Sequence, residues 1–190
     1  LKQNKTSIKD SIMKRKYEDQ DDVSRYLRVD HAGELGARRI YEGQLAVLGN
    51  HPVAAEIRHM RDQEQEHLDT FEELLNEYQV RPTLLSPFWN GAGFMLGAVT
   101  AAMGPKAAMA CTIAVEEVIG THYDKQAKAL TETQSGEDAL AETLERFRDE
   151  ELEHRDIAKD HDGEEAIGYP VMRRVIQAGC RVAIKLAERV

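Results

Sequence analysis

The polar stretches of this 190-residue chain carry apolar residues at intervals of three and four, the period of a helix with one buried stripe. Alternating β-branched and aromatic runs bounded by turn signals, which would mark strands, are lacking, so the pattern predicts an all-α fold. A first bundle helix is expected from about Ser24 to Leu48, ended by the left-handed turn that Gly49-Asn50 offers. A second begins at Pro52 and fades before Arg81-Pro82, because the residue before a proline resists helical dihedrals. Ser86-Pro87 reads as cap and first position of a third helix. Gly104-Pro105 then stops that helix and launches a fourth. Ser135-Gly136-Glu137-Asp138 resembles a capping box opening a fifth. Turns around Asp162-Gly163 and Gly168-Tyr169-Pro170 precede a final basic amphipathic helix.

Polarity is distributed unevenly. No residue between Arg81 and Lys106 is charged, and from Pro82 to Val115 the only charge is Lys106. A membrane-crossing helix needs about 20 uninterrupted, mostly apolar residues, whereas Pro87, Asn90 and several glycines break this stretch. The insert 82–104 is therefore expected to lie in a membrane interface, with a buried bundle helix as the plain alternative. In the last helix Val171, Val175, Ile176, Val182, Ile184 and Leu186 alternate with Arg173, Arg174, Arg181, Lys185 and Arg189, a pattern suited to anionic lipid or to ordinary amphipathic packing.

One motif occurs twice. Arg61-Asp62-Gln63-Glu64-Gln65-Glu66-His67-Leu68-Asp69 returns as Arg148-Asp149-Glu150-Glu151-Leu152-Glu153-His154-Arg155-Asp156. Each copy holds Glu-x-x-His, and residues three apart on a helix share a face at about 5–6 Å, so Glu64 with His67 and Glu151 with His154 can each grip one cation. The upstream helices repeat as well. Glu34 and Tyr41-Glu42-x-Gln44 match Glu116 and Tyr123-Asp124-x-Gln126, an alignment that selects Glu116 over Glu117. One glutamate from each of two helices and Glu-x-x-His from each of two others is the ligand set of ferritin-like di-iron bundles. The halves 24–79 and 105–161 thus read as two helical hairpins related by ancestral duplication, neither of which completes the site alone.

Four glutamates balance two divalent cations and the two histidines remain neutral, which makes burial of the cluster tolerable. Mixed carboxylate and imidazole ligands favour iron or manganese over thiolate-seeking metals. With six protein ligands for two ions, positions stay open for oxygen or substrate. Glu64 and Glu151 are expected to bridge, with Glu34 and His67 on one ion and Glu116 and His154 on the other. Asp30, one turn before Glu34, is a candidate acceptor for a ligating imidazole or else a cap or surface acid. Tyr41 and Tyr123 lie nearly in phase with their glutamates. Tyr123, preceded by His122, is the candidate for a catalytic contact, with core packing the alternative. Glu56-x-x-His59 is a decoy, because its counterparts in the second half are Thr143 and Arg146.

The net charge of −9, from 34 acidic and 25 basic residues, argues against a general nucleic-acid surface. Cys111 and Cys180 are the only cysteines, which excludes a disulfide framework and a four-cysteine iron site and fits a reducing compartment. The chain opens at Leu1 without a secretory core, so a trimmed or processed form is expected. Residues 1–22 form an N-terminal segment of unknown role, and 23–190 the presumptive ferritin-like domain.

Arg28-Val29-Asp30-His31-Ala32-Gly33-Glu34-Leu35-Gly36-Ala37, Ile40-Tyr41-Glu42-Gly43-Gln44, Ala108-Met109-Ala110-Cys111-Thr112, Asp149 to His154 and Ile176-Gln177-Ala178-Gly179-Cys180-Arg181 closely resemble the 5-demethoxyubiquinone hydroxylase family, the di-iron monooxygenases of ubiquinone biosynthesis. The likeness covers about residues 24–190. It implies two iron ions on Glu34, Glu64, His67, Glu116, Glu151 and His154, ring hydroxylation of demethoxyubiquinone by O2, and NADH as a donor of electrons, although no nucleotide-binding fingerprint is present. It also implies membrane lipid, a lipid-binding accessory protein and a biosynthetic complex as partners, and a homo-oligomer is a separate candidate that the sequence leaves open. The setting would be the matrix face of the mitochondrial inner membrane, or the cytoplasmic membrane in a bacterium. A di-iron quinol oxidase, a ferritin-like iron-handling protein and a catalytically silent lipid-binding scaffold are the competing functions.

Overall fold

The computed structural model describes residues 2–133 and 136–189, with side chains from residue 20 onward. Among the described residues there are six α-helices, α1 (Lys2–Leu48), α2 (Ala54–Glu77), α3 (Ser86–Ala102), α4 (Pro105–Thr133), α5 (Asp138–Asp160) and α6 (Tyr169–Ala187), with a 3₁₀ turn at Gly163–Glu165 and no strand. Helices α1 and α2 form one hairpin, α4 and α5 the other, and α3 and α6 pack outside on α1 and α4 respectively.

The boundaries differ from the sequence expectation where tertiary context supplies the cap. Helix α1 begins at Lys2 rather than near Ser24, so the N-terminal segment continues the first bundle helix. Pro52 stands two residues before α2, in a turn where the His51 N–H donates to Leu48 O. At the other end Gln79 adopts a left-handed φ of 55° and the Val80 N–H reaches back to Leu75 O, closing α2 ahead of Pro82. Ser86 lies inside α3 and is not its cap: its Oγ donates to Thr83 O at 2.8 Å, while Thr83 Oγ1 accepts from the Leu85 N–H at 3.2 Å. Ser135 of the expected capping box lies outside the described residues, and α5 starts at Asp138 without a side-chain cap bond.

Two apolar clusters fill the bundle above and below a polar middle. Leu27, Phe71, Leu75, Tyr123, Leu144 and Phe147 form one, and Tyr41, Ile57, Met60, Met109, Ile113 and Ala158 the other. Along each of the four helices, the residues singled out as metal ligands fall between these clusters. The apolar stripe thus holds the hairpins together and leaves one dry polar layer between them.

Helix α3, the uncharged insert, is at once a packed and an exposed helix. It crosses α1 at backbone contact: a Cβ on Gly43 would stand 2.1 Å from Phe94 O, and one on Gly97 1.9 Å from Ile40 O. Its opposite face presents Phe88, Met95, Val99 and Met103 to solvent. Helix α6 likewise has two apolar faces, with Ile176 and Ala187 turned inward and Val171, Val175, Val182 and Leu186 outward. No described helix is long and apolar enough to cross a membrane.

Candidate metal centre

Six side chains converge in the polar layer, Glu34 from α1, Glu64 and His67 from α2, Glu116 from α4, and Glu151 and His154 from α5; none is more than 1% exposed. His67 Nδ1 lies 3.2 Å from Glu151 Oε1, 3.3 Å from Glu34 Oε2 and 3.9 Å from Glu64 Oε2. His154 Nδ1 lies 3.2 Å from Glu64 Oε1 and 3.3 Å from Glu151 Oε2. Two groups have ligand atoms mutually within 4.8 Å: Glu34, Glu64, His67 and Glu151, and then Glu64, Glu116, Glu151 and His154. Glu64 and Glu151 belong to both. His59 of the decoy pair is exposed.

The arrangement suits cations. Glu34 Oε2, both oxygens of Glu64, His67 Nδ1, Glu116 Oε2, both oxygens of Glu151 and His154 Nδ1 are buried without a hydrogen-bond partner. The His–Glu ion pairs at 3.2–3.3 Å offset part of this deficit, yet all of these atoms face the same small volume. Two divalent ions would satisfy them together, and the oxygen and imidazole donor set matches iron or manganese.

Without metal the cluster is held by protons. Burial would depress the His67 and His154 rings, but the carboxylates of Glu151 and Glu64 outweigh it and raise them to about 9 and about 11. Burial pushes Glu34, Glu64 and Glu116 well above the usual carboxylate range, reinforced by their acidic neighbours. For Glu151 burial is overcome by the two imidazolium rings, which bring it down to about 2.

The layer around the ligands is crossed between the hairpins. Tyr41 OH donates to Glu116 Oε1 at 2.6 Å, and Tyr123 OH donates to Glu34 Oε1. Burial and the adjacent carboxylates keep the Tyr41 hydroxyl protonated. His67 Nε2 faces Glu150 Oε2 at 2.5 Å, whereas His154 Nε2 faces Gln63 Oε1 at 3.0 Å. Asp30 does not reach a ligating histidine. Its Oδ1 accepts from Gln126 Nε2 at 3.0 Å and lies 3.6 Å from His122 Nε2, so its carboxylate meets α4 and not the histidine of α2 or α5. The rings instead meet Glu150 and Gln63, two residues that sequence reasoning misses. The available signal was their shared register immediately before Glu151 and Glu64.

Beside the centre, helices α1, α3, α4 and α6 enclose an apolar cavity of about 370 Å³ with no charged residue in its wall. Gly33, Ala37 and Val115 line it and are chain neighbours of Glu34 and Glu116 or lie one turn away. The insert and the C-terminal helix, expected separately to meet lipid, together form its outer side.

Fold and polar layer define a ferritin-like helical bundle with a buried carboxylate–histidine cluster that could hold metal. The chain belongs to the family described as ubiquinone biosynthesis protein COQ7, whose profile matches residues 21–187. It is 55% identical over 168 residues, covering 88% of this chain and 77% of the relative, to a Homo sapiens protein named NADPH-dependent 3-demethoxyubiquinone 3-hydroxylase, mitochondrial. A Rhodospirillum rubrum protein named 3-demethoxyubiquinol 3-hydroxylase is 50% identical over 171 residues, with 88% and 78% covered. The 5-demethoxyubiquinone hydroxylase, mitochondrial, of Saccharomyces cerevisiae is 44% identical over 185 residues, with 88% and 78% covered.

Proposed function

We propose that this protein is a di-iron monooxygenase that hydroxylates the ring of demethoxyubiquinone. The observation that carries the reading is the juxtaposition of the buried Glu/His cluster with an uncharged cavity large enough for a quinone ring and the start of its tail. One oxygen atom of O2 enters a ring C–H bond as hydroxyl and the other leaves as water, using two electrons and two protons. Family membership and the names of the relatives support that assignment.

Glu34 and His67 would hold one iron, Glu116 and His154 the other, with Glu64 and Glu151 shared. When bound, the irons supply the site at which O2 is reduced and activated. The protein's own groups set the conditions. Tyr41 and Tyr123 engage the Oε1 atoms of Glu116 and Glu34 and leave the Oε2 atoms free for coordination. The cavity wall orients the ring beside Glu34 and Glu116 and excludes water. Tyr123 is proposed to pass a proton or electron at its hydroxyl, a role supported by its hydrogen bond to Glu34.

Nicotinamide nucleotide is the proposed reductant; NADPH stands in the names of the mammalian relatives. The outward residues of α3 and α6 are proposed to rest in the interface of the mitochondrial inner membrane, or of the cytoplasmic membrane in a bacterial setting. The same face would meet a lipid-binding accessory protein. Anaerobic iron loading followed by O2 and demethoxyubiquinone tests the assignment by mass analysis of the quinone. A gain of one oxygen atom is expected. Oxygen consumption that only converts quinol to quinone, or accumulation of iron mineral, would replace it by an oxidase or an iron-storage function.

A further inference from the structure

We propose that the two metal positions are unequal by construction, the Glu34–His67 position binding first and more tightly because Glu150 backs His67 where Gln63 backs His154. This rests on the di-metal reading above and concerns which ion the protein holds harder.

Gln63 and Glu150 occupy one register of the duplicated motif, directly before Glu64 and Glu151, and each faces the ring nitrogen of the opposite hairpin's histidine. Geometry is therefore matched and chemistry is not. With Nδ1 turned to the carboxylates, Nε2–H is the outer donor of each ring. An N–H held by a carboxylate makes the imidazole a more basic ligand, and a charge-assisted bond is roughly twice as strong as one to a neutral amide. The separations agree, 2.5 Å to Glu150 against 3.0 Å to Gln63. Arg146 Nη1, at 3.3 Å from Glu150 Oε1, tempers that charge from the solvent side but leaves Oε2 to the ring.

A second pair of equivalent positions also differs between the halves. One turn before Glu34 stands Asp30, and one turn before Glu116 stands Thr112. The repeated glutamines meet them in the same manner, Gln126 Nε2 donating to Asp30 Oδ1 at 3.0 Å and Gln44 Nε2 to Thr112 Oγ1 at 3.4 Å. Burial raises the Asp30 carboxyl well above the usual carboxylate range, so this second pair adds no fixed negative charge and Glu150 alone carries the difference.

The test is titration of the metal-free full chain with Mn(II) alone, followed by electron paramagnetic resonance, with folding checked by circular dichroism. At one equivalent the wild-type spectrum should be that of isolated Mn(II), and anomalous scattering should place the ion at Glu34 and His67; the second equivalent should convert it to a coupled pair. Removal of an outer partner costs about 10–100-fold in metal affinity. Glu150→Gln should therefore weaken the first step by at least about tenfold, and Gln63→Glu should strengthen the second, so both collapse the difference by opposite routes. Uptake of both ions in a single step by the wild type, or equal weakening of both steps by Glu150→Gln, would overturn the inequality while leaving a di-metal site. A wild-type chain that bound no Mn(II) would overturn the inequality and the di-metal reading together.

Discussion

Tyr41 and Tyr123 occupy the same place in the two halves, and each hydroxyl satisfies a buried glutamate oxygen of the other hairpin. Tyr41→Phe should leave Glu116 Oε1 unpaired and destabilise the protein by about 1–3 kcal/mol in denaturant unfolding. Tyr123→Phe should cost a similar amount, yet alone should slow single-turnover hydroxylation at equal iron content. If the two variants lose the same rate, Tyr123 serves only to position Glu34. The proton count of the cluster sets the pH behaviour. His67 and His154, raised from 6.5 to about 9 and about 11, contribute stability that is full below 6.5 and is lost as pH climbs through those values. Raised Glu34, Glu64 and Glu116 act in the same direction from 4.5 upward, whereas Glu151, lowered to about 2, loses its contribution as pH falls from 4.5 toward 2. The melting temperature of the metal-free protein should therefore fall between about pH 6 and about pH 10, and that of the metal-loaded protein should fall less. Metal binding near neutrality should release protons and tighten with rising pH, measurable by calorimetry in buffers of different protonation enthalpy.

At the scale of the helices, α3 is fixed to α1 by absent side chains. Gly97→Leu would drive atoms into Ile40 O, where even a Cβ would approach to 1.9 Å. A loss of about 3 kcal/mol or more is expected, at the upper end of overpacking effects, read by denaturant unfolding. The helices themselves were legible because their apolar stripes repeat every three to four residues, and the convergence of the six candidate ligands because Glu-x-x-His is local and is written twice. What sequence spacing does not encode is contact between hairpins. Glu150 reaching His67 and Gln63 reaching His154 depend on how α5 and α2 oppose each other, so their roles emerge only in three dimensions. Ser86 departs from the expected cap for a related reason: Thr83, in the preceding turn, takes over the capping geometry. The apolar cavity was illegible too, since its wall is assembled from small residues on four separate helices.

Over the whole molecule, a chain of net charge −9 keeps the exposed large apolar residues among its described side chains chiefly on α3 and α6, with Arg174, Arg181 and Lys185 on the latter. Reversing Arg174, Arg181 and Lys185 to Glu should weaken sedimentation with anionic vesicles by roughly 100-fold or more at low salt, taking about 1 kcal/mol per basic residue. Met95→Asp with Val182→Asp should weaken binding to neutral vesicles as well, and neither change should alter iron content. The crossed pairing at the centre has a further meaning for ancestry. Were a single hairpin to assemble with its own copy, symmetry would oblige one residue type to stand behind both imidazoles. Two hairpins that differ in sequence, as they do within this one polypeptide, can carry glutamine and glutamate separately, which would let two neighbouring ions be given different work.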